Sequence, residues 1–170
     1  MRETEALPLL AAIHALGHIG DPRAIMLVVQ YRSHAAADVR SAVACALGHF
    51  ADDSLAAETL IQLTTDMDTG VRDWAIFGIG SLSKLDTPEL REALVRNLDD
   101  SFEDARQEAI LGLASRADAR VVPALVGSLG ASDVPSIIIE AASTMQERLE
   151  NTTDCEPSEL AAALREKFAL

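Results

Sequence analysis

The chain has 170 residues, 49% of them apolar, and carries 14 Lys and Arg against 27 Asp and Glu, a formal net charge of −13. That acid excess speaks against a nucleic-acid partner, whose binding rests on neutralising phosphates, and no apolar run approaches the ~20 residues that span a bilayer. Two cysteines, Cys45 and Cys155, make no disulfide framework; with an opening MRETEALPLL that lacks the build of a secretory signal, they lead to the expectation of a cytoplasmic protein.

Aromatic residues are 4% of the chain, while Ala and Leu dominate, so helices are favoured throughout. In chain order, a first helix closes on Leu16-Gly17 with no partner before it. Residues 1–20 are read as an incomplete first repeat, either an atypical cap or the remnant of a longer protein. Helix pairs follow over 21–50, 54–82, 87–115 and 118–149, and a terminal capping helix over 158–169, all within a single domain, 1–170. The opening helix of each pair, at about 21–33, 54–66, 87–98 and 118–129, begins on a start signal: Asp21-Pro22, Ser54, Thr87-Pro88, Asp118, with Pro157-Ser158 for the last helix. The closing helices of the pairs repeat one another as VRSAVACALG from Val39, VRDWAIFGIG from Val71 and ARQEAILGLA from Ala105. Their closing positions Leu16, Leu47, Ile79 and Leu113 lie 31, 32 and 34 residues apart, room for two short helices and two turns. A weaker copy runs from Val134 to Met145.

Each copy carries a helical apolar stripe: Val39, Val43, Ala46, Leu47 and Phe50; Val71, Ala75, Gly78, Ile79 and Leu82; Ala105, Ala109, Gly112 and Leu113. Small residues at 46, 78 and 112 let neighbouring helices approach closely. Connections are short and polar; the only longer one is at about 151–157. One such hairpin cannot bury its apolar face alone, but stacked hairpins share a core, which predicts a solenoid.

The string Leu16-Gly17-His18-Ile19-Gly20-Asp21-Pro22-Arg23-Ala24-Ile25 resembles the HEAT-like repeat of phycobilin lyases, whose inner helix reads V-R-x-x-A-x-x-A-L-G-x-I-G-D. The likeness runs to about Met145. It implies an all-α fold, a right-handed superhelix of about five helical hairpins. It also implies a polar ladder in which the Arg near the start of each inner helix (Arg40, Arg72, Arg106) meets an Asp from a nearby turn. An Asp stands six residues before two of them, at Asp66 and Asp100; His34 takes that place before Arg40, and Pro135 stands where the fifth Arg would be.

Helical phase points His14, Cys45, Phe77, Leu111 and Glu140 away from the core, with His18, His49, Ser81, Ser115 and Thr144 one turn later and Leu10, Ser41, Asp73, Gln107 and Ser136 one turn earlier. The resemblance places these on a concave groove, with Trp74 and Glu108 at its flank. Phe77 and Leu111 read either as contacts for a partner or as packing between adjacent helices; so does Trp74. His14 and His18 on one helix and Cys45 and His49 on the next offer ligand types that zinc accepts, but the spacing matches no zinc module, and no metal or other cofactor is expected. Arg106-Gln107-Glu108-Ala109 resembles the Arg-His-Glu-Ala of HEAT-like iron hydroxylases that modify deoxyhypusine. Gln107 replaces the required His and no other His-Glu pair exists, so that activity is not expected. Asn151-Thr152-Thr153 matches a glycosylation acceptor by accident of composition.

The expected function is a non-enzymatic scaffold that binds a protein or peptide with a basic surface. Asp73, Asp104, Glu108 and Glu140 would supply charge, and Trp74, Phe77 and Leu111 apolar contact. One form is an immunity or inhibitor protein against a basic toxin. The alternative left open is a lyase-like or metal-dependent enzyme using the same groove.

Overall fold

A computed structural model describes residues 3–150 and 157–168. The Asn151-Thr152-Thr153 match, Cys155 and most of the expected long connection lie outside the described residues. The described chain is helical without a strand. It divides into two compact units, residues 1–93 and 94–170.

In the first unit, α1 (Glu3–Ile19), α3 (Ala37–Gly48) and α5 (Thr69–Phe77) lie in a row, α3 in the middle, while α2 (Arg23–Val29) and α4 (Ser54–Leu63) pack behind them. This is the alternation that the repeated segments dictate. Ile13, Val28, Val39, Val43, Leu47, Leu60, Ile76 and Ile79 are fully enclosed between the two rows, each such burial favouring the folded state by about 1.5–3 kcal/mol. Small residues set the spacing. A Cβ at Gly17 would stand 2.8 Å from Ala46 Cα, and one at Gly78 would stand 3.6 Å from Gly48 Cα. Gly20 ends the first helix in the left-handed region, φ 71°, where a side chain is strained.

Carboxylate caps start α4 and α5. Asp53, rather than the expected Ser54, caps α4 by accepting from Leu55 N and Ala56 N. Asp68 does the same for α5 through Gly70 N and Val71 N. Asp21 accepts from Arg23 N at 2.9 Å.

The third repeated helix departs from expectation. Its α-helical turns stop at Phe77 and it continues as a π-helical turn, Gly78–Leu82, closed by Ser83 N donating to Gly78 O at 3.1 Å. This wider i→i+5 turn shifts the phase. Leu82, expected on the buried stripe, is 43% exposed instead. Ser83 and Lys84 then tie back to the previous repeat: Ser83 Oγ donates to Ala51 O at 2.9 Å, and Lys84 N to Asp52 Oδ1 at 2.6 Å.

The division between units falls within α6 (Pro88–Arg96), whose Thr87 cap accepts from Leu90 N. In the second unit a 3₁₀ turn (Asn97–Asp99) leads to α7 (Glu103–Ala114), and a second 3₁₀ turn (Ala119–Val121) to α8 (Val122–Leu129). Then come α9 (Ser136–Glu150), which packs on α7 and α8, and α10 (Pro157–Phe168), which packs on α8 and α9. Leu113, Leu125, Ile138, Met145 and Leu160 fill this core. After α7, Asp118 N donates to Leu113 O and Ala117 N to Ala114 O, the paired closing bonds of a Schellman motif. Ala117 holds the left-handed position, φ 49°, that glycine usually takes.

Candidate functional site

The ladder arginines tie the turns that precede their helices. Arg40 is buried, and its Nε and Nη2 grip both oxygens of Asp66 at 2.6 and 2.7 Å. Its Nη1 donates to His34 O at 2.8 Å. Arg72 Nη1 donates to Asp66 O and Arg106 Nη1 to Asp100 O, at 2.9 and 2.6 Å. In all three the carbonyl lies six residues before the arginine. The expectation was an Asp from a nearby turn for each arginine, with an Asp at that place before Arg72 and Arg106 and His34 there before Arg40. The position gives its backbone carbonyl instead, so His34 serves as well as an Asp, and the Asp66 carboxylate belongs to the arginine of the repeat before it. Arg40 and Asp66 side chains are 11% and 10% exposed. The Arg40 guanidinium holds the Asp66 carboxyl below the usual carboxylate range, against the opposing effect of burial, and Asp66 in turn raises Arg40.

None of the fifteen positions that helical phase turned away from the core is buried. In the first unit His18, Cys45, His49 and Phe77 line one cavity. Phe77 and Trp74 stand edge to face, ring centroids 5.9 Å apart at 78°. His18 from α1 and His49 just past α3 approach to 5.1 Å. Between them opens a cavity of ≈ 230 Å³ lined by His18, Ala44, Cys45, Gly48, His49, Trp74, Phe77 and Leu82. Its rim is well exposed, Trp74 at 41% and Leu82 at 43%. Leu82 is the residue that sequence reasoning missed, because only the π-helical turn brings it there. Burial pushes the Cys45 thiol up, which keeps it protonated and apolar in character. Asp73 adjoins Trp74 and is half-buried, and His14 is exposed further along α1.

No group of three or more His, Cys, Asp or Glu side chains comes together in a metal-binding arrangement among the described residues. The His18–His49 approach is therefore a pairwise contact at the cavity mouth. No described helix is long and apolar enough to cross a membrane.

In the second unit Asp104 and Glu140 are exposed, and Glu108 and Leu111 half-buried. A larger cavity, ≈ 440 Å³, lies elsewhere in this unit, among Leu98, Asp99, Glu103, Arg106, Gln107, Ile110, Ala124, Gly127, Ser128, Ala131, Asp133, Pro135 and Ile138.

Comparison with known proteins matches the family of HEAT repeats over residues 5–76 and 57–146. The chain is similar to Protein YibA of Escherichia coli strain K12, 37% identical over 111 residues, or 65% of this chain and 39% of that protein. The same protein of Escherichia coli O157:H7 matches equally. The chain thus spans about two fifths of the length of these curated relatives. The X-ray structure of YibA from Escherichia coli superposes with a TM-score of 0.72 at 27% identity, covering 94% of this chain and 61% of that one. A designed armadillo repeat protein in complex with the peptide (KR)4 superposes with a TM-score of 0.59 at 20% identity, covering 99% and 95%, a likeness of fold.

Proposed function

We propose a binding role for this chain, which belongs to the HEAT-repeat family and folds as an α-solenoid of stacked helical hairpins: it holds a segment of a basic protein or peptide against the exposed side of α1, α3 and α5. The cavity bounded by Trp74, Phe77 and Leu82 carries the reading. At ≈ 230 Å³ it is smaller than the ~300–1,000 Å³ of small-molecule sites, and its lining suits one apolar side chain of a partner. Apolar rings that stay exposed at such a mouth are the usual anchors of an interface. The net charge of −13 favours encounter with a basic partner, and Asp73 beside the cavity adds local charge. The (KR)4 peptide on the designed armadillo protein shows that a stacked-helix scaffold can take a basic chain. In the second unit, Asp104, Glu108, Leu111 and Glu140 are proposed separately as partner contacts of that unit. An immunity or inhibitor protein against a basic toxin is one form of it.

The test is a set of basic peptides that differ only at a central residue, Leu, Phe or Ala. The Leu and Phe peptides should bind at least ~10-fold tighter than the Ala peptide, about 1.4 kcal/mol. Phe77→Ala should erase that difference while helicity stays intact. Asp73→Asn should slow association at low salt and leave dissociation unchanged. Equal binding of all three peptides, or undiminished binding to Phe77→Ala while changes on α2 or α4 abolish it, sinks the proposal. A lyase-like or metal-dependent role at the same face is the rival that the His18–His49 contact favours. About one zinc per chain by elemental analysis, lost in His18→Ala, would support a metal site at this face.

A further inference from the structure

The cavity of the second unit differs in character from the one above. Arg106 lines it, half-buried, with one side-chain bond, Nη1 to Asp100 O. The Nε–Nη2 edge of Arg40, at the equivalent place in its helix, is filled by Asp66. The same edge of Arg106 meets no carboxylate among the described residues. A guanidinium edge presents two parallel N–H groups, matched to the two oxygens of a carboxylate. The volume, ≈ 440 Å³, falls in the range of small-ligand sites. Ile110 and Ile138 give it a buried apolar floor.

The rim narrows the ligand class. Asp99, Glu103 and Asp133 line the same cavity and are exposed. One cation facing three anions repels a simple anion. The charges suit a ligand with one carboxylate for the arginine and positive groups for the acids. From this juxtaposition we propose that the cavity binds the free α-carboxylate of a basic amino-acid residue, with the carboxylate on Arg106 and the cationic side chain toward Asp99, Glu103 and Asp133. Such a residue is either a free basic amino acid or the last residue of a peptide. The proposal rests on the second unit alone and stands whether or not the cavity at Phe77 takes a partner.

Titration calorimetry on the full chain tests it, with L-arginine, an N-acetylated tetrapeptide ending in arginine, and the same tetrapeptide as its C-terminal amide. Binding of the free-acid peptide, or of arginine, with at least ~10-fold loss on amidation is the expected result. Arginine binding without the peptide identifies the free amino acid as the source, and peptide binding identifies a chain end. Arg106→Gln should lose the free acid's advantage over the amide, with helicity and melting checked alongside. Asp133→Asn leaves the arginine intact and should weaken the ligand about threefold through lost charge. Equal affinity for acid and amide, no binding of any probe at millimolar concentration, or tighter binding to Asp133→Asn overturns the proposal, the last by showing that Asp133 itself occupies the arginine edge.

Discussion

Arg40 and Arg106 stand at the same place in two repeats and end in different surroundings. Both send Nη1 back to a carbonyl six residues earlier, so the local half of the lock is identical. Only Arg40 closes the other half, through the Asp66 carboxylate of the following repeat. A repeat thus carries one part of the device in its own turn and borrows the second part from its neighbour. The first part survives wherever the arginine is present. The second depends on what the next turn brings.

The largest difference between the two repeats is expected when each arginine is truncated. Arg40→Ala strips the enclosed Asp66 of its guanidinium partner, leaving it the Asp68 N bond, and should cost about 3–5 kcal/mol in denaturant unfolding. Arg106→Ala gives up one bond to a carbonyl and should cost about 1 kcal/mol. Equal losses would mean that the buried carboxylate contributes nothing. Acid sharpens the same point. Asp66 titrates below its unfolded value in the folded chain. Its stabilisation is therefore complete above the ordinary ~3.9 of a free Asp and is lost as pH falls through the lower folded value. The gap between wild type and Arg40→Ala should be full at neutral pH and shrink below about pH 4, followed by thermal melts across pH.

Two glycine positions extend the contrast between the units. Gly17→Ala drives a Cβ to within 2.8 Å of Ala46 Cα and should cost about 1–3 kcal/mol. Gly127→Ala, in α8, meets nothing within 4 Å and should stabilise by about 0.4–1 kcal/mol. An effect of similar size, told apart by its sign, is expected where the units end a helix differently. Ala117→Gly relieves a left-handed alanine and Gly20→Ala creates one, so their melting shifts should be opposite in sign, each about 1 kcal/mol.

The stripe Val39, Val43, Ala46, Leu47 and Phe50 was readable because a 3.6-residue period leaves its mark in any sequence that buries one helix face, and all five are buried. Phe77 and Trp74 were readable as surface positions by the same phase. The ladder was readable in its parts but not in its pairing, since Asp66 lies six residues from Arg72 and yet belongs to Arg40; sequence distance carries no information on which repeat supplies the carboxylate. Leu82 escaped altogether. A π-helical turn is selected by competition between i→i+4 and i→i+5 bonds, and Gly78-Ile79-Gly80-Ser81-Leu82 has no residue type that announces the outcome.

That turn has a consequence for how such an array changes over generations. One surplus residue inside an α-helix rotates everything after it by about 100°, which would carry a buried stripe to the surface. A turn with i→i+5 bonds, such as Gly78–Leu82, can take up such a residue locally, and here the Ser83 and Lys84 bonds to Ala51 and Asp52 anchor the chain that follows. The turn works as a shim: a copy of the repeat can gain a residue, keep its neighbours in register, and present one new side chain, Leu82, on the outside.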